Sequence, residues 1–281
     1  MRRGLILLGS CAALALPAMV MAQTPPATVP PPVASKVMAP AGWAEFRQGQ
    51  ADAARGDSAG ALQLYKLAAS KGSSDAENAI AGLYAGGEAG LPQDYAQAMR
   101  WYRISADHGN QWAQLNIGYS YYLAMGVPHD DVEAMRWYRL SAAQGNAFAE
   151  QNIGAYYANG QGGVAQDYGQ ALHWFGLAAA QGNPSAQFNL GNLYYAGRGV
   201  PQDYTAAMHW YRLVTDQADR WINYPVPAVR KMVAAAQYRV GSLYANGQGV
   251  APDAAQARVW MTKAAQNDDP SAKTWLAANP G

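Results

Sequence analysis

One stretch is written repeatedly along this chain, and the recurrence constrains the fold more than any other feature. Its clearest copy, AQFNLGNLYYAGRGVPQDYTAAMHWYRL, runs from Ala186 to Leu213, and related copies start at Ala76, Ala113, Ala149 and Ala236. Their tryptophans, Trp101, Trp137, Trp174, Trp210 and Trp260, are separated by 36, 37, 36 and then 50 residues. A period in the thirties marks a repeat architecture, in which each unit buries its apolar face on its neighbours and stability grows along the array. The 281 residues therefore need no single large globular core.

Within each copy the first half reads as a helix, here called A. Ala113, Ile117 and Tyr121 match Ala149, Ile153 and Tyr157, then Ala186, Leu190 and Tyr194. Offsets of four and eight place these residues on one side of a helix. A glycine returns inside it at Gly118, Gly154, Gly191 and Gly241, with Ala81 in the first full copy. Mid-helix glycine costs about 1 kcal/mol relative to alanine, so its return predicts a close helix crossing, looser at Ala81.

A glycine-rich turn follows, as in AGRGV at 196–200. No strand precedes it, so a phosphate-binding reading lacks its context. The second helix, B, starts after Asp94, Asp130, Asp167, Asp203 and Asp253, each seven residues before its tryptophan. An aspartate there accepts hydrogen bonds from the free N–H groups of the first turn and complements the helix dipole. Its presence in every unit argues for capping over a row of catalytic carboxylates. Ala98, Trp101, Tyr102 and Ser105 then form a stripe expected to be buried. Helix B closes at Gly109, Gly145 or Gly182, and Asn110, Asn146 or Asn183 begins the next unit, with Pro184 suited to the first helical position.

These motifs, A-x-x-x-[LIV]-G-x-x-Y, G-x-G-V, D-Y-x-x-A-x-x-W-Y and A-A-x-x-G, resemble those of the Sel-one-like repeat (SLR) family, a tetratricopeptide-like branch. The resemblance implies an all-α, right-handed α-solenoid of about six antiparallel helix pairs serving as a scaffold for protein contacts. It brings no catalytic residues, cofactor or metal. In exported bacterial members it implies signalling, envelope or host-interaction roles. A periplasmic sensor that restrains a membrane signalling protein is the alternative reading to a scaffold. The secreted branch linked to β-lactam hydrolysis carries a cysteine pair in each repeat. This chain has one cysteine, Cys11, which argues against cell-wall or β-lactam hydrolysis.

The N-terminus reads as an export signal over 1–22: Arg2 and Arg3, an apolar run from Gly4 to Val20, and Val20-Met21-Ala22 as the cleavage site. Cleavage leaves a periplasmic or secreted chain with no cysteine and no stable membrane insertion. Residues 23–41 are a proline-rich linker favouring polyproline II. The solenoid is expected over 42–281, with units at 43–72, 73–109, 110–145, 146–182, 183–218 and 234–267, a cap at 270–278 and an insertion at 219–233. The net charge of +1 gives no electrostatic footprint for nucleic acid.

A protein or peptide partner is the expectation. Positions 3, 7 and 10 of helix A, counting the leading alanine as one, fall within about 60° of each other. They hold Leu115, Tyr119 and Tyr122; Gln151, Ala155 and Ala158; Phe188, Asn192 and Tyr195; and Tyr238 at position 3 of the last copy. An aromatic-lined groove on this concave side is one reading, and packing between repeats is the other. The insertion adds Trp221, Tyr224 and Arg230, residue types common in binding hot spots. Asn116, Asn152 and Asn189 recur too regularly for specificity and are expected to bond between repeats. His108, His129, His173 and His209 are expected at the surface.

Overall fold

The computed structural model describes residues 41–218 and 227–280, and all regular structure among them is α-helical. The segments read as signal and linker therefore lie outside the described residues, as do Trp221 and Tyr224. The described residues fall into two compact units that divide between Asn146 and Ala147. The first holds α1 (Trp43–Ala54), α2 (Ser58–Ser70), α3 (Ser74–Gly86), α4 (Tyr95–Asp107), α5 (Gln111–Tyr122) and α6 (Asp131–Ala142). The second holds α7 (Ala147–Asn159), α8 (Tyr168–Ala180), α9 (Pro184–Ala196), α10 (Tyr204–Asp216), α11 (Pro227–Asn246), α12 (Ala254–Gln266) and α13 (Pro270–Ala278). Among the described residues, no helix is long and apolar enough to cross a membrane.

The repeating residues build the same joints in each pair. Asp94, Asp167, Asp203 and Asp253 each accept from the backbone N–H three residues on, at 2.9–3.0 Å. Asp130 accepts from both Val132 and Glu133. The backbone N–H of these aspartates donates back to the preceding A helix. Asp203 reaches the Tyr194 carbonyl and Asp253 that of Tyr244, both at 3.0 Å. The glutamine before the aspartate closes the A helix as well. Gln93, Gln166 and Gln202 donate side-chain N–H to the carbonyls of Ala85, Ala158 and Tyr195. The glutamine–aspartate pair is thus a C-cap followed directly by an N-cap, which satisfies backbone groups left open at both helix ends.

The glycine in helix A sits where two helices cross on an aromatic ring. A Cβ at Gly118 would stand 2.4 Å from Tyr138 Cε1, at Gly154 2.6 Å from Phe175 Cδ1, and at Gly191 2.5 Å from Tyr211 Cε1. Those rings are the true centre of each pair, with Tyr138, Phe175 and Tyr211 at 1%, 2% and 0% exposure. The tryptophans beside them, Trp137, Trp174 and Trp210, are only half-buried. Trp101 packs on both the α1–α3 core and the α3–α5 core, and Trp210 on the core around α8 and α9. The buried stripe expected of helix B thus divides: Tyr138, Phe175 and Tyr211 fill their pairs, while Trp101 and Trp210 also seal the seam to the pair before.

Asparagine caps tie consecutive units together. Asn110 caps α5 and also donates to Asp75 Oδ1 at 2.8 Å, while Asn116 donates to Asn78 Oδ1 at 3.1 Å. The helices on either side of the insertion differ in length. α10 ends at Asp216 with 13 residues, whereas α11 has 20 and starts at Pro227. Proline lacks the N–H that is unpaired at a helix start anyway, so it begins α11 where it would break a helix interior.

Candidate partner-binding face

The A-helix positions singled out in the sequence do not all stay open. In the first unit Leu115 and Tyr119 are 4% and 6% exposed. Tyr119 packs edge-on against Tyr138, with ring centroids 5.7 Å apart. Both residues are therefore removed from the expected groove, because position 3 and the ring at position 7 fill space against neighbouring helices. Tyr122 is half-buried beside His129, whose Nδ1 lies 2.8 Å from the Tyr122 carbonyl. In the second unit Gln151, Ala155 and Ala158 of α7 are buried too. Tyr238 packs on the Met261, Ala264 and Ala272 cluster near the C-terminal helix.

Three candidates do come together on α9. Phe188 is half-buried with its ring 5.8 Å from that of Tyr211. One turn on, Asn192 Oδ1 accepts from the Tyr211 hydroxyl at 2.9 Å, which leaves the amide N–H₂ of Asn192 available. Tyr195 stands edge-on to Tyr204 at 5.3 Å. The residue that sequence reasoning missed completes this group. Arg239 of α11 lies over the Tyr195 ring, its Cζ 4.9 Å from the centroid. It is half-buried and pairs with no carboxylate among the described residues. Its signal was legible as a break in register, since Arg239 occupies the position of Asn116, Asn152 and Asn189 in the other copies.

Arg230 has a different role from the one expected. Its guanidinium donates to the Gln266 carbonyl and to Asp268 Oδ2, both at 3.3 Å, and so braces the end of α12. Lys273, which donates to Asp268 Oδ1, holds that carboxyl below the usual range, with Arg230 adding to the effect.

Among the described residues no three His, Cys, Asp or Glu side chains are placed to hold a metal ion. His173 and His209 are exposed, and each ring stands edge-on to its own tryptophan neighbour. A recess of ≈ 360 Å³ lies between α10, α11 and α12, lined by Thr215, Gln237, Trp260, Lys263 and Asn267. Its charged group is Lys263, which lies over the Trp260 ring at 4.4 Å.

One buried acid belongs to the frame. Glu150, 5% exposed on α7, accepts from Gln181 Nε2 at 2.8 Å. Burial pushes its carboxyl above the usual range, against the Gln181 hydrogen bond and the nearby His173. An acid whose folded-state pKa is raised favours folding while protonated, and that contribution is lost as pH rises through the raised value. Three other copies carry Gln114, Gln187 and Gln237 at this position, and the first carries Glu77, beside which lies His108. Glu150→Gln is accordingly expected to raise Tm at pH 7, on the order of 2 °C. The gain should vanish near pH 4, where the wild-type carboxyl is protonated. Thermal melts of both proteins at the two pH values check this.

Comparison with known proteins places these features in a family. The Sel1 repeat family model matches residues 44–73, 74–110, 113–146, 147–183, 184–219 and 234–269. A protective antigen present in uropathogenic Escherichia coli strains, described as displaying an SLR fold, is 32% identical with a TM-score of 0.73. That match covers 84% of this chain but only 48% of the antigen, so the chain spans about half that protein's length. A Sel1 repeat protein from Oxalobacter formigenes is 29% identical, with a TM-score of 0.72 and coverage of 83% of this chain and 89% of that one. An immunity protein from Pseudomonas aeruginosa shares the fold at 20% identity and a TM-score of 0.50, covering 85% of this chain and 84% of its own. No curated protein matches the chain.

Proposed function

The chain belongs to the Sel1 repeat family, whose members are generally protein-interaction scaffolds, and from that premise we propose that it binds a protein partner through α9 and α11. The observation that carries this reading is the group formed by Phe188, Asn192, Tyr195 and Arg239. It combines half-buried aromatic surface with hydrogen-bond donors that nothing else in the described chain uses up. Interface centres are enriched in tyrosine and arginine for this reason: both offer large contact areas along with directional polar groups. The fold is typically a non-catalytic scaffold, and the proposed role is binding without turnover.

The proposal includes a location outside the cytoplasm. Its support is the sequence before the linker: paired arginines, an apolar run and a Val20-Met21-Ala22 cleavage site. Once the signal is removed the chain has no cysteine, and its stability rests on stacked repeats rather than disulfides.

A pull-down from envelope extract tests the reading. Wild-type protein as bait is expected to retain a discrete partner, and Arg239→Glu to retain about tenfold less. Its melting temperature should change little, since Arg239 is only half-buried. Equal recovery by the two baits would remove this face from the function.

A further inference from the structure

We infer that the partner segment received by this face is acidic and that Arg239 holds one of its carboxylates; the inference rests on the docking reading above. The first ground is charge. Neither α9 (PSAQFNLGNLYYA) nor α11 (PAVRKMVAAAQYRVGSLYAN) contains an aspartate or glutamate, while α11 carries Arg230, Lys231 and Arg239. Of these, Arg230 is engaged with Asp268, whereas Arg239 faces the ring of Tyr195. The charged side chains carried by these two helices are therefore all positive, although the whole chain is nearly neutral at +1.

The second ground is the state of the Arg239 guanidinium. Lying over the Tyr195 ring at 4.9 Å satisfies one flat face of the cation through the ring's quadrupole. Among the described residues it leaves the N–H groups at the guanidinium edge without an anionic acceptor. That planar fork matches the two oxygens of a carboxylate, and stacking fixes its orientation before a ligand arrives. Partial burial raises the strength of such a pair above that of a fully exposed one.

The third ground is the polarity of what surrounds it. Asn192 spends its carbonyl oxygen on Tyr211 and keeps its amide donor. Together with the Arg239 guanidinium this gives the α9–α11 side two hydrogen-bond donors close to half-buried aromatic rings. An acidic segment supplies the complement through its carboxylate and backbone carbonyls, whereas a basic segment meets Arg239 with repulsion. Phosphate is also an acceptor, but the chain lacks the clustered cations that drive nucleic-acid binding.

Two fluorescein-labelled nonapeptides of leucine and serine, identical except for a central glutamate or glutamine, provide the test by fluorescence anisotropy at low salt. Wild-type protein is expected to bind the glutamate peptide about tenfold more tightly than its glutamine twin. That preference should disappear in Arg239→Gln and return in part in Arg239→Lys, which restores the charge without the fork. Equal affinity of the two peptides for wild type, or a preference that survives Arg239→Gln, would overturn the inference. So would tighter binding of a labelled ten-residue thymidine oligonucleotide than of the glutamate peptide. The docking reading has its own readout, because Phe188→Ala should weaken both peptides equally. If Phe188→Ala leaves both affinities unchanged, that underlying reading fails.

Discussion

Replacing Tyr211 with alanine is expected to destabilise the protein by about 4 kcal/mol, in the range found for removing a large buried aromatic side chain. Tyr211 is 0% exposed and lies in the core formed by Ala207, Met208, Val214, Val233, Val240 and Leu243. Nothing is positioned to refill the volume, because the ring bears directly on the Gly191 backbone, which has no side chain to extend. The same substitution at Trp210, the more conspicuous residue of the motif, should cost about half as much. Trp210 is half-buried and seals a seam, so part of its surface never leaves water. Tyr211→Phe separates the ring from the hydroxyl. It keeps the packing, frees Asn192 Oδ1 and is expected to cost about 1 kcal/mol. Urea titrations of the three variants check this order, and a larger loss for Trp210→Ala than for Tyr211→Ala would contradict it.

Opposite outcomes are expected at two glycines inside helices. Gly191→Val should destabilise by about 3 kcal/mol. Its Cβ alone would lie 2.5 Å from Tyr211 Cε1 and 2.7 Å from Cδ1, and a fully buried ring has no room to withdraw. The higher helix propensity of the new residue recovers only a fraction of that. Gly176 also sits within a helix, α8, but a Cβ there meets nothing within 4 Å. Gly176→Ala is therefore expected to stabilise by about 0.5–1 kcal/mol through helix propensity and a less flexible unfolded chain. Gly241 falls between them, since its nearest atoms include the flexible end of Met261 at 3.2 Å. Melting curves that showed Gly176→Ala and Gly191→Val shifting the same way would contradict the crossing geometry.

The frame was legible in the sequence because each joint depends on residues close together in the chain. An aspartate caps the turn it begins, a glycine admits a ring from the next helix, and an asparagine restarts the following unit. Reading the period was enough to find them. Some local chemistry still escaped, such as Gln93, Gln166 and Gln202 closing the A helices, because a glutamine in a turn has many possible partners. The partner face was legible only in part, and the reason is geometric. Residues at positions 3, 7 and 10 share one side of helix A, yet which of them stays open depends on what the neighbouring units place against it. Leu115 and Tyr119 are covered, Tyr238 turns to the C-terminal cluster, and Phe188, Asn192 and Tyr195 remain together. Arg239 is invisible to a search for recurring residues, because it stands where the other copies hold Asn116, Asn152 and Asn189.

A partner docked on α9 and α11 lies within reach of a photo-crosslinker placed on that face. A benzophenone amino acid is placed at position 192 on that face or, in a separate protein, at position 173, where the wild-type histidine is exposed on α8. After irradiation with envelope extract, position 192 is expected to form one discrete adduct that Arg239→Glu abolishes, and position 173 none. An adduct of equal yield at position 173, or one at position 192 that survives Arg239→Glu, would contradict the claim.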